Sequence, residues 1–132
     1  MLVIDANVAR AACGAEGDGF AVLGDALANV PLMWSEARAS LHLQISKSEI
    51  GRDDGEIIHD RLEHCPVERV DPPGLGKEAW RLAEEFGWGR TYDAEYVALA
   101  KLLDCRLVTL DARLRRGADR LGIVVTPTEL RI

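Results

Sequence analysis

The sequence predicts an α/β fold, a three-layer α/β/α sandwich around a mostly parallel central sheet. Three observations lead there. Short apolar runs rich in β-branched residues recur along the chain, and stretches with helical spacing of apolar residues separate them. The 132 residues, 48% hydrophobic and 29% charged, have the size and composition of one ordinary globular domain, expected to span residues 1–132. Strands that alternate with helices make a parallel sheet covered on both faces.

Leu2-Val3-Ile4 is a buried strand that turns into a helix at Asp5-Ala6-Asn7. Helical spacing continues through residue 13 and again over 18–29. Gly14, Gly17 and Gly19 match G-x-x-G-x-G but follow a helix rather than a strand, so they are turn glycines and not a phosphate cradle. Residues 30–34 form the second predicted strand, and Ser35 caps a helix over 35–46 with Glu36 in its first turn. Asp53 and Glu56 form a capping box ahead of Ile57, Ile58, Arg61 and Leu62. Val67-Glu68-Arg69-Val70 alternates like a half-buried strand, broken by Asp71-Pro72-Pro73-Gly74. Leu75, Ala79, Leu82, Ala83 and Phe86 recur at helical spacing, with Gly87 a natural C-terminal cap. Thr91 caps a very apolar helix over 92–104. Residues 106–110 form a strand, a helix starts at Asp111 and runs to 121, and Ile123-Val124-Val125 is the last strand.

The net charge of −6 excludes a protein held to nucleic acid by a global positive field, so a polyanionic substrate needs a local basic patch or a metal bridge. No apolar stretch approaches the roughly 20 residues of a membrane span, and MLVIDANV meets an acid too early for a signal peptide, so a cytoplasmic protein is expected. Cys13, Cys65 and Cys105 lack C-x-x-C spacing and are read as small core residues. His42, His59 and His64 make no chelating pair on a helix face. Trp34 and Trp80 fall in core-packing patterns, whereas Trp88, between Gly87 and Gly89, is free to stack on a base or pack on a partner.

Each of four acids has a local explanation. Asp5 and Asp111 stand where helices begin, and Glu36 and Asp93 lie in first helical turns, where the helix dipole favours a negative charge. Topology joins them. Strand ends and the starts of the helices that return between strands share one edge of a parallel sheet, so all four converge on the rim where open α/β sheets bind ligands. Converging acids repel, and no nearby lysine or arginine pairs with all of them. A cluster of oxygen ligands without His or thiolate suits Mg²⁺ or Mn²⁺, which polarises phosphate oxygens and activates water. Glu95 lies about 200° around the helix from Asp93 and is read as peripheral. Arg113, Arg115, Arg116 and Arg120 supply a basic flank beside Asp111, with Arg10, Arg38 and Arg90 as weaker candidates for holding phosphates.

Leu2-Val3-Ile4-Asp5-Ala6-Asn7-Val8, Ser35-Glu36, the T-Y-D-A-x-Y-x-A-L-A element from Thr91 to Ala100, and Leu107-Val108-Thr109-Leu110-Asp111 together resemble the PIN domain, and particularly the VapC-type toxins of bacterial toxin–antitoxin pairs. The resemblance implies a PIN-like fold and an endoribonuclease for single-stranded RNA that depends on Mg²⁺ or Mn²⁺. Its catalytic acids would be Asp5, Glu36, Asp93 and Asp111, with Asp5 and Asp93 the most direct metal ligands and Thr109 and Asn7 accessory. It further implies a cognate antitoxin protein and a homodimer. Residues 47–75 match no motif. Two other readings stay open: a non-catalytic module that seats a partner's arginine on the acid rim, and a phosphatase with Asp5 as nucleophile, for which Asn7 stands where a second aspartate is expected.

Overall fold

The computed structural model describes residues 1–130, so the last two positions of the expected unit lie outside the described residues. Five parallel strands form one sheet in the order β3-β2-β1-β4-β5: β1 is Leu2–Ile4, β2 Leu27–Asn29, β3 Val67–Arg69, β4 Arg106–Val108 and β5 Val124–Val125. Val3 pairs with Ala28 on one side and Leu107 on the other, so β1 is the central strand. Its three residues are buried on both faces, which is why it reads as an unbroken apolar run. Helices α1 (Ala6–Gly14), α2 (Leu32–Ser46) and α3 (Arg52–Glu63) pack on one another. Helix α4 (Leu75–Phe86) packs on α5 (Tyr92–Leu102), which lies on β1 and β4. Short helices α6 (Ala112–Gly117) and α7 (Pro127–Leu130) flank β5. This is the expected three-layer α/β/α arrangement.

Helix α5 is core through its middle. Ala94 and every residue from Tyr96 to Ala100 are buried, as expected for a helix with no polar face to spare. Cys13 is buried in the same core, and Cys65 and Cys105 pack at its edge.

The second strand departs from expectation. Residues 18–29 are not a helix. They contain a single 3₁₀ turn, Ala21–Leu23, ended by Gly24 in the left-handed region (φ +67°), and then β2 itself. The strand falls at Leu27–Asn29, before the predicted 30–34, because Pro31 already has helical φ and no N–H to give a ladder. Met33 and Trp34 are therefore buried residues of α2, and Ser35 sits inside the helix rather than capping it. Asn29 is tolerated in a buried strand because its amide nitrogen donates to the Ile4 carbonyl and its Oδ1 accepts the Val30 N–H at 2.9 Å. Gly51, not Asp53, precedes α3, Thr91 makes no side-chain cap, and the helix after Asp111 closes at Gly117 before a separate 3₁₀ turn, Asp119–Leu121. Trp80 is 63% exposed, against the expectation of core packing.

Candidate active site

The four acids come together. Asp5 leaves β1, Asp111 lies just past β4, Glu36 stands on α2 and Asp93 in the first turn of α5. With Ala6, Asn7, Ser40 and Tyr96 they line a cleft of about 190 Å³. The cleft lies at the exits of β1 and β4, where the strand order reverses, which is where open parallel sheets seat their ligands. Among the described residues, none of the four is in a salt bridge. Glu36 falls past the first turn of α2, so the helix start does not account for its charge.

Asp5 is the most firmly held. Only 4% exposed, it accepts the Val8 N–H through Oδ1 at 2.9 Å and the Thr109 hydroxyl through Oδ2. The Thr109 hydroxyl in turn accepts the Asp111 N–H at 3.0 Å, so one buried oxygen ties together the exits of neighbouring strands. Asp111 caps α6 by accepting the Arg113 N–H at 2.8 Å and the Leu114 N–H at 3.4 Å. Capping and clustering are thus both true of Asp5 and Asp111.

Burial pushes the Asp5 carboxyl above the usual carboxylate range. The Thr109 and Val8 bonds oppose this, and the charges of Asp93 and Asp111 add to it. Asp93 is raised as well, first by desolvation and then by Asp111, with Arg113 drawing it back. Acids that disfavour one another's charge in this way are relieved by a cation. The donors here are all oxygens, which fits a hard divalent ion rather than a thiolate- or imidazole-seeking one. Among the described residues no group of three or more His, Cys, Asp and Glu side chains forms a ready-made metal cage. A hard ion such as Mg²⁺ is commonly bound by one or two carboxylates, with water completing its shell. About six waters at roughly 30 Å³ each would fill a space the size of this cleft.

Tyr96 is a site residue that sequence reasoning missed. It is 1% exposed, and its hydroxyl donates to Glu36 Oε1. Burial and the facing carboxylate push its phenol far up, so it stays protonated and remains a donor. Its place three residues after Asp93 puts it on the same helix face, which is the signal that was available. Glu95 does not line the cleft.

The basic flank is smaller than expected. Arg115 is clamped by Glu129, at 2.9 Å through both Nε and Nη2, and by Asp119. Arg120 reaches Glu85 and lies over the Phe86 ring, and Arg38 is tied to Glu63. Arg10 donates to Gln44 at 3.0 Å. Arg113 and Arg90 are the ones that line the rim.

A family model described as PIN domain matches residues 2–120. VapC ribonuclease Mb0985 of Mycobacterium bovis and ribonuclease VapC9 of Mycobacterium tuberculosis are each 33% identical to the chain over 129 residues, 96% of this chain and 99% of the relative. The crystal structure of PAE2754 from Pyrobaculum aerophilum matches with a TM-score of 0.72 and 25% identity, covering 98% of this chain and 92% of that one.

Proposed function

The chain belongs to the PIN domain family, and from that premise we propose that it is an endoribonuclease that cleaves single-stranded RNA with Mg²⁺ or Mn²⁺ as cofactor. The observation that carries this is the convergence of Asp5, Glu36, Asp93 and Asp111 on one cleft with no salt-bridge partner among the described residues. Asp5 and Asp93 would hold the ion. The chemistry supplied by a bound divalent ion is polarisation of the scissile phosphate and activation of water for in-line attack. Thr109 and Val8 fix the Asp5 carboxylate in place. Tyr96 aims the Glu36 carboxylate, which accepts the proton of the attacking water. Asp111 completes the negative wall, and Arg113 lends positive charge at the rim beside it. Asp5, buried and doubly hydrogen-bonded, is poorly presented as the nucleophile of a phosphatase.

As the toxin of a toxin–antitoxin pair the protein would act as a homodimer and be held inactive by a cognate antitoxin. Its VapC-named relatives and the PIN match support that assignment. Among the described residues no helix is long and apolar enough to cross a membrane.

The test is cleavage of a single-stranded RNA by the purified chain in EDTA, Mg²⁺ and Mn²⁺, beside Asp5→Asn and Asp93→Asn. Cleavage should need the metal and fall by at least about 100-fold in each variant, at or beyond the top of the roughly 10- to 100-fold range typical of losing a group that only supports a metal ligand. Undiminished cleavage by both variants, or equal cleavage in EDTA, refutes the assignment.

A further inference from the structure

Beside the acid cleft lies a larger hollow of about 630 Å³ that shares Glu36, Asp93 and Asp111 with it. The smaller space suits a hydrated ion. The larger is within the range of pockets that take a small organic ligand. Its remaining wall is made by Gly87, Trp88, Gly89, Arg90 and Tyr92, with Arg113 and Leu114.

That wall carries two kinds of group. The first is a pair of cations. Several arginines of this acidic protein make no salt bridge among the described residues, and of these Arg90 and Arg113 are the two that line the hollow, whereas Arg115 and Arg120 of the expected basic flank are held by carboxylates. Unpaired guanidinium groups bordering a carboxylate cluster serve an incoming anion. The second is aromatic. Tyr92, at the start of α5 and next to Asp93, is 50% exposed. Trp88 is half-buried and held in place: its ring lies 4.9 Å from that of Phe86, and a Cβ added to Gly117 would stand 3.4 Å from the indole. A fixed indole and an accessible phenol form a preorganised flat surface, the kind on which unstacked bases settle.

We infer that this hollow is a nucleotide subsite: it receives the nucleotide flanking the scissile phosphate, with its base stacked on Tyr92 against the Trp88 wall and its phosphate held by Arg90 and Arg113. The inference rests on the ribonuclease reading and adds to it where the substrate strand runs. Three shared acids make the hollow continuous with the cleft, so its occupant extends into the place where chemistry occurs. That favours the substrate over a separate protein ligand.

The experiment uses the full chain in EDTA and a short fluorescent 2′-O-methyl RNA, which binds without being cut, read by anisotropy across salt concentrations. Tyr92→Ala should weaken binding roughly 5- to 100-fold, the range measured for one base–aromatic stack. Tyr92→Phe should keep the affinity, and abasic probes should bind wild type and Tyr92→Ala alike. Arg90→Gln and Arg113→Gln should each lower the salt slope by about 0.7 to 1. Arg52→Gln, on α3 away from the hollow, makes the same charge change and should not. The subsite is overturned if Tyr92→Ala binds like wild type, if its deficit persists with abasic RNA, or if both arginine variants match Arg52→Gln. Binding of a Glu-rich peptide in place of the RNA also overturns it, in favour of a protein ligand. Each of these results is independent of cleavage. The ribonuclease reading fails separately, when wild type cuts no RNA with either metal.

Discussion

Replacing Thr109 by Val tests the buried link between the two strand exits. The shape and β-branching are kept, so strand preference and packing change little. What disappears is the hydroxyl that donates to Asp5 and accepts the Asp111 N–H at 3.0 Å, at a position 0% exposed. Asp5 then keeps only the Val8 N–H, its Oδ2 losing the hydroxyl, and the part-buried Asp111 N–H loses its acceptor, at about 1–3 kcal/mol each, so the expected loss is about 2–4 kcal/mol. Thr109→Ser keeps both bonds and loses one methyl, about 1 kcal/mol. Unfolding entropy of about 2.1 cal/mol/K per residue puts 132 residues near 0.28 kcal/mol/K, so a loss of ~3 kcal/mol lowers Tm by roughly 10 °C and the serine loss by roughly 4 °C. Urea denaturation at neutral pH, with thermal melts beside it, reads the order directly. If Thr109→Val is as stable as wild type, or more stable than Thr109→Ser, the hydroxyl does not hold the two acids and the account of the site's rigidity is wrong.

The two tryptophans should part company: Trp34→Ala, at a site 4% exposed, should lose about 3–5 kcal/mol, and Trp80→Ala should stay within about 0.5 kcal/mol, both from urea midpoints at unchanged slope. Glu78, which accepts from Arg81 and from Lys101 at 2.8 Å and so joins α4 to α5, has its carboxyl drawn from 4.5 down to about 2, first by Arg81. A depressed carboxylate contributes stability above its unfolded pKa and loses it as pH falls, so the gap between wild type and Glu78→Gln in denaturation midpoint should be full above pH 4.5 and close by about pH 2. A gap that does not change with pH contradicts the ion-pair origin. Gly87→Ala, at φ +70°, should cost about 1–2 kcal/mol, whereas Gly89→Ala, with open space around its Cβ position, should lose less than about 0.5 kcal/mol. Equal thermal shifts for the two would place the strain elsewhere.

The acid cleft was legible because a parallel sheet gives strand exits and returning helices a common edge. Asp5 after an unbroken apolar run, and Asp111 after Leu107-Val108, could be placed from sequence alone. The second strand could not. Leu27-Ala28-Asn29 is short, ends in a residue strands disfavour, and is held by an amide that reaches the Ile4 carbonyl from a distant part of the chain. Trp80 misled because it lies within an apolar helical pattern. It follows Ala79 by one position, about 100° around α4 from the buried stripe, and a stricter helical wheel would have put it outside. The arginines were illegible for another reason. Whether Arg115 or Arg113 faces a phosphate depends on where Glu129 and Asp119 end up, and charge spacing along the chain does not encode that. Tyr96 was half visible, its helix face computable but its partner on α2 not.

The sheet order has a consequence for synthesis. The central strand is the first to leave the ribosome, yet one of its two neighbours is made only when residues 106–108 arrive, and the hydroxyl that secures Asp5 lies 104 positions downstream. A nascent chain therefore carries Asp5 and Glu36 without Asp93 and Asp111 for most of its translation. Closing so long a loop is slow compared with helix formation, so the acid cleft is completed late, when β4 docks beside β1.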